Sequence, residues 1–184
     1  PTSGLFYTRN NSSGEFTKIE PTDFTMYEPD DLEHVGWYYI PVNNGKPTWM
    51  EPYLNSNINV YMVSYVIPIF IDGESIGILG MDIEFSTFTD MVDESNIFKA
   101  GYAYLANADG KVMYHKELDV GTSLADADSG LSEAAAAITD DSQENTFVSY
   151  TYKGQQKDMF YSILTNGMRY LMTVPEKDLV ARST

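Results

Sequence analysis

The sequence predicts an α+β fold of two tandem modules, each an antiparallel sheet of about five strands with flanking helices. Three observations lead there. Runs of alternating apolar and polar residues, bounded by turn-forming pairs, recur along the 184-residue chain. One order of elements is read twice, over residues 1–90 and again over 91–184: two strands, a helical or irregular excursion, three strands. The composition, 43% hydrophobic and 14% aromatic, is enough to build a core.

The elements follow in order. Gly4 to Thr8 and Glu15 to Ile19 read as a first strand pair joined through a polar stretch ending at Gly14. An acidic, Pro-containing passage from Glu28 to His34 leads into the aromatic cluster Trp37-Tyr38-Tyr39. Asn44-Gly45 reads as a turn before a strand from Thr48 to Tyr53. Val60 to Ile71 and Ser75 to Phe85 are two long apolar strands around Asp72-Gly73, the clearest hairpin signal in the chain. Ser86 is a good cap for a helix with Phe88, Met91 and Val92 at helical spacing, ending near Asn96. Tyr102 to Asn107 and Lys111 to His115 then flank Asp109-Gly110. Ser132 opens an Ala-rich helix to Ile138, and strands at 146–152, 157–164 and 168–174 close the chain. Breaks at Lys153-Gly154 and Asn166-Gly167 separate those three. The repeated order is that of a PAS-like domain, whose sheet and excursion enclose a concavity suited to a small ligand.

Charge and composition exclude several functions. With 27 acidic against 11 basic residues the net charge is −16, which repels nucleic-acid phosphates and anionic headgroups and attracts cationic solutes. The absence of cysteine removes thiolate catalysis, cysteine-ligated zinc and disulfides. His34 and His115, the two histidines, lie in different halves, so no shared metal site is expected. The Asp30-Asp31 and Asp140-Asp141 runs lack a calcium loop's register. No nucleophile elbow, phosphate-cradling loop or metal-binding histidine pair stands out, so neither catalysis nor a cofactor is expected. The chain begins at Pro1 and has no apolar run of membrane-spanning length, and it reads as a segment of a longer protein.

Several motifs together carry a family resemblance. They are Trp37-Tyr38, Trp49-Met50-Glu51-Pro52-Tyr53, Val66-Ile67-Pro68-Ile69 and Gly77-Ile78-Leu79-Gly80-Met81-Asp82-Ile83. In order and spacing they resemble the membrane-distal half of double CACHE sensor domains. Gly101-Tyr102-Ala103-Tyr104-Leu105, Asp109-Gly110, His115, Gly121 and the Gly167 to Pro175 strand resemble the membrane-proximal half. The resemblance covers nearly the whole chain, except for the family's long N-terminal helix. It implies an extracytoplasmic sensor tethered by membrane helices to a chemotaxis, histidine kinase or cyclic-dinucleotide output, in receptors that work as homodimers. Residues 1–90 would be the ligand-binding distal module and 91–184 a transmitter.

The resemblance also implies a site. Trp37, Tyr38, Tyr53 and Asp82 match the family's amino-acid-binding set, and Trp49 is a further candidate wall. In this reading a buried Asp82 carboxylate pairs with a ligand ammonium, while Tyr38 and Tyr53 add hydroxyls and aromatic faces. The alternatives are a core role for Trp37 and Trp49 and a purely structural one for Asp82. Val35 stands where the family has an arginine and Asp30 where it has a tyrosine, so the grip on a ligand α-carboxylate is lacking. The expected ligand is a small molecule bearing an amine, an amino acid or another amine. A ligand-free adhesive module and a sensor of carboxylates or nucleobases are the competing readings.

Overall fold

The computed structural model describes residues 4–10, 12–55, 58–95 and 100–180. The chain divides into two compact units, Pro1–Asp82 and Ile83–Thr184. The strands of both are antiparallel, as the alternation predicts.

In the first unit, β1 (Phe6–Arg9) and β2 (Phe16–Ile19) form a two-stranded ribbon of their own instead of joining the larger sheet. Then comes α1 (Leu32–Asn44), the excursion that sequence left open as helical or irregular. The Asp31 carboxylate caps it by accepting from the His34 amide at 3.3 Å. Asn44-Gly45 is a helix stop and not a hairpin turn: Gly45 takes the left-handed conformation (φ 65°) and donates its N–H to the Val42 carbonyl. The two roles share the same positive-φ requirement, so sequence alone does not separate them.

The strand expected from Thr48 to Tyr53 is split into β3 (Thr48–Trp49) and β4 (Tyr53–Asn55), on either side of Met50–Pro52. Both pair with β5 (Val60–Ile71), Trp49 opposite Tyr65 and Tyr53 opposite Met62. β6 (Glu74–Glu84) also pairs with β5, completing a four-stranded sheet. Asp72 and Gly73, at φ 51° and 85°, make the turn between them. That pair of positive values is the signature of a type I′ turn, whose twist suits the flanking strands. α1 packs on β5, and Val35 of α1 is among the buried apolar residues of this unit, as are Met62, Val63 and Val66 of β5. The β5–β6 hairpin leaves Ile69, Phe70, Ile71, Ile76, Leu79 and Met81 exposed.

The second unit opens with α2 (Ser86–Glu94), packed on β7 (Tyr102–Ala106). Phe85, not Ser86, is its N-cap residue, and the expected end near Asn96 lies outside the described residues. β8 (Val112–Tyr114), β9 (Phe147–Tyr152), β10 (Gln155–Ile163) and β11 (Arg169–Pro175) join β7 in a five-stranded sheet of order β8-β7-β11-β10-β9. This is the PAS-like arrangement expected. The short helices α3 (Leu124–Ala127) and α4 (Ser132–Ile138) supply Leu124, Ala134, Ala135 and Ile138 to a core with Tyr104, Tyr161, Met159 and Leu171. α5 (Glu176–Val180) follows β11.

Arg169 ties the β11 start to the α4 end. It is 5% exposed, donating from Nη1 to the Gly167 carbonyl (2.7 Å), from Nε to the Ile138 carbonyl (3.2 Å) and from Nη2 to Asp141. Arg169→Met keeps the stem and removes all three donors, including the one that serves the carbonyl of the buried Ile138. The expected loss is about 2–3 kcal/mol of stability, read from urea unfolding.

Candidate functional site

An open cleft of about 550 Å³ lies in the first unit. α1 contributes Leu32, Glu33, Trp37 and Ile40; the β3–β4 segment contributes Trp49 to Leu54. α1 places Glu33, Trp37 and Ile40 at i, i+4 and i+7, one helical face. Trp37 is fixed by its own helix, its indole N–H donating to the His34 carbonyl at 2.8 Å. Trp49 packs on Tyr65 with ring centroids 4.8 Å apart. A smaller recess shares Glu33, Trp37, Tyr53 and Leu54 and adds Tyr27, His34 and Asn55.

The structure therefore brings three of the five expected residues, Trp37, Trp49 and Tyr53, to one cleft. Tyr38 is not in its lining; that ring packs edge-on against Trp37 and Tyr39, at 6.1 and 5.1 Å. Asp82 does not line it either, and the expectation of a buried carboxylate is corrected: Asp82 is exposed. Its strand β6 pairs with β5 and is exposed along much of its length. An apolar run in sequence is no guarantee of burial when its strand lies at a sheet edge.

Asp82 nonetheless connects to the cleft. Its Oδ1 accepts from the Ser64 hydroxyl at 2.6 Å, and Ser64 and Tyr53 hydroxyls lie 2.8 Å apart. Ser64 has one proton, given to Asp82, so Tyr53 donates to Ser64. Ser64 is 1% exposed, which makes this a desolvated relay with its carboxylate end at the surface. Burial chiefly, then the Asp82 charge, pushes the Tyr53 hydroxyl up, so it stays protonated as a donor.

Two acidic side chains in the lining, Glu33 and Glu51, were not singled out from sequence as ligand groups. Glu51 sits inside the Trp49–Tyr53 motif, and that position was the available signal. No lysine or arginine is among the described lining residues of either recess. Val35, which the resemblance sets at the position of the family's arginine, is fully buried and lines neither recess. His34 faces the smaller recess, stacked on Tyr27 at 4.5 Å and bonded through Nδ1 to Asp31 at 3.0 Å. That bond to His34 holds the Asp31 carboxyl below the usual range.

Comparison with known proteins agrees with this architecture. Residues 2–90 match the family described as methyl-accepting chemotaxis protein-like, first PDC sensor domain. The methyl-accepting chemotaxis protein PctB of Pseudomonas aeruginosa is 28% identical over 116 residues, 62% of this chain and 18% of PctB, so the chain spans under a fifth of that relative. Among solved structures, the extracellular domain of the histidine kinase mmHK1S-Z2 superposes with a TM-score of 0.68 at 27% identity, covering 95% of this chain and 64% of that one. The ligand-binding domain of PctB in complex with L-Arg superposes with a TM-score of 0.62 at 21% identity over 95% of this chain and 72% of that one, a likeness of fold.

Fold, motifs and likenesses are those of extracytoplasmic ligand-sensing domains of transmembrane signalling receptors and are consistent with the double CACHE kind. The match to the first PDC sensor domain of the chemotaxis-protein-like family lies in residues 2–90, just under half of the chain.

Proposed function

We propose that the first module, residues 1–90, captures a small amine-bearing ligand, an amino acid or amine, and that residues 91–184 transmit its arrival toward the membrane. The observation that carries this reading is the cleft's chemistry: aromatic walls from Trp37, Trp49 and Tyr53, carboxylates from Glu33 and Glu51, and no basic side chain among its described lining residues. An ammonium gains charge-assisted hydrogen bonds from the carboxylates and about 0.5–2 kcal/mol from each well-placed aromatic face. A free carboxylate or phosphate finds no cation there. Asp82 acts through Ser64 to set the Tyr53 hydroxyl, and Tyr38 braces Trp37. Two relatives' structures contain amino acids, PctB with L-Arg or L-Gln and CtaA of Pseudomonas fluorescens with L-serine, which supports the ligand class. The receptor output, a chemotaxis domain or kinase, lies outside these residues, and homodimerisation belongs to the same proposal. Sensing without catalysis is the activity we assign.

Isothermal titration of the 184-residue chain with amino acids, biogenic amines and their N-acetyl derivatives tests it. The expected result is binding that requires the free amine and weakens at least tenfold in Glu33→Gln/Glu51→Gln, about 1.4 kcal/mol. Asp82→Asn should weaken it less. Binding of a carboxylic acid or nucleobase at the cleft, or an amine affinity unchanged by the double substitution, would overturn the reading. If no compound of the panel raises the melting temperature, the module is a scaffold.

A further inference from the structure

The second unit gathers basic and hydroxyl groups that sequence spacing hides. Register places Lys157 of β10 beside Tyr150 of β9 and Pro175 of β11, and Tyr102 of β7 beside Thr173 of β11. These strands bring four polar groups together. The Lys157 Nζ donates to the Tyr102 hydroxyl at 3.4 Å, and the Tyr150 and Thr173 hydroxyls are 2.6 Å apart. Lys157 is 8% exposed and Thr173 1%. Two further lysines border the group: Lys116, with Nζ 3.7 Å from the Tyr102 ring centre, and Lys153, 5.2 Å from that of Tyr152. Glu117 is the nearby carboxylate, and it pairs with Lys153 at 3.0 Å.

Three of the chain's 11 basic side chains thus converge on one carboxylate in a protein of net charge −16. Among the described residues, no carboxylate pairs with Lys157 or Lys116. Aromatic faces partly offset the burial of the Lys157 ammonium, with Tyr102 and Tyr152 centroids at 4.8 and 5.2 Å. Burying an ammonium without a counter-ion remains unfavourable, and an anion beside it would reverse that.

The geometry points to a second ligand site, in the 91–184 module, that takes a small organic monocarboxylate: its carboxylate on Lys157 with the Thr173, Tyr150 and Tyr102 hydroxyls, its apolar part against the tyrosine rings. One desolvated ammonium matches one negative charge. Lys116 and Lys153 are exposed, which leaves Lys157 as the one desolvated ammonium, and without an arginine the group has no planar fork for phosphate. Burial of Lys157 lowers its pKa, the direction expected of an ammonium with no anion in place. With such a ligand the second module would receive a chemical signal of its own, opposite in charge to the one assigned to the first.

The test is thermal unfolding and titration calorimetry of the 184-residue chain with sodium propionate and sodium benzoate, against sodium chloride and sodium phosphate at equal ionic strength. The expected result is a melting temperature raised by at least one carboxylate and by neither control. Affinity should fall at least tenfold in Lys157→Met and be unchanged in Glu33→Gln/Glu51→Gln, which separates this site from the first. If Lys157→Met does not fold, Thr173→Val and Tyr102→Phe replace it, and amide chemical-shift changes in the wild type must gather at residues 102, 157 and 173. Stabilisation by phosphate or chloride equal to that by carboxylate, no stabilisation at all, or affinity indifferent to these substitutions would overturn the proposal.

Discussion

Acidification from about pH 7 to about pH 4 is expected to remove about 3 kcal/mol of stability through His115 alone. The His115 Nδ1 accepts from two backbone amides, Glu117 N at 3.0 Å and Leu118 N at 3.1 Å. An imidazolium carries a proton on that nitrogen and loses both bonds. The ring also stands edge-on to Tyr102 and Tyr104, at 5.3 and 4.9 Å. Burial is the main cause that pushes its pKa from 6.5 down to about 4; Lys116, Lys157 and Lys153 push the same way, and Glu117 opposes them.

The sign follows from where the proton sits. Between those two values the unfolded chain holds a proton that the folded one rejects, so stability rises with pH across the window. The contribution is complete above the unfolded value and is lost as pH falls toward about 4. Many carboxylates titrate in the same range, so the readout is a difference. His115→Gln keeps an acceptor and abolishes the titration. The gap in urea-unfolding free energy between wild type and variant should shrink by about 3 kcal/mol across the window. A gap that stays constant would show that His115 titrates as it does in the unfolded chain.

Gly130→Ala is the second large effect, and it is steric. A Cβ at Gly130 would lie 1.7 Å from the Thr151 carbonyl oxygen and 2.8 Å from its carbon. Neither partner can move far. The Gly130 amide donates to the Asp128 carboxylate at 2.8 Å, and Thr151 is held in the sheet opposite Gln156. Relief therefore needs the 129–131 turn to leave β9, pulling Leu131 from the core. The expected cost is about 3 kcal/mol or more, a fall of roughly 12 °C or more in melting temperature for a unit of this size. Ser129→Ala, at an exposed neighbour, should stay within about 0.5 kcal/mol. Equal melting temperatures for the two variants would show that the contact is not held in solution.

The turns were the most legible part of the chain. Asp72-Gly73 and Lys153-Gly154 are strand connections in sequence and in structure, because two successive positive-φ residues suit few other conformations. The α1 helix was hidden by its own residues. Gly36 and Pro41 interrupt helix-forming composition, and Trp37-Tyr38-Tyr39 suits a strand as well as a helix. The site was half legible: Trp37, Trp49 and Tyr53 line one cleft, while Glu33 drew no notice until α1 put it one turn before Trp37.

Alternation and turn pairs determined by themselves a tandem antiparallel α+β plan, since those signals are local and repeat along the chain, and the ordered motifs carried the resemblance to a sensor. Tertiary structure decided what depends on neighbours. It left Asp82 exposed at the end of a Tyr53–Ser64 relay, because burial is set by a strand's place in its sheet and not by the residues beside it. It also assembled Lys157, Tyr102, Tyr150 and Thr173 from four strands spread over more than 70 residues, because strand register and not sequence spacing decides which side chains meet.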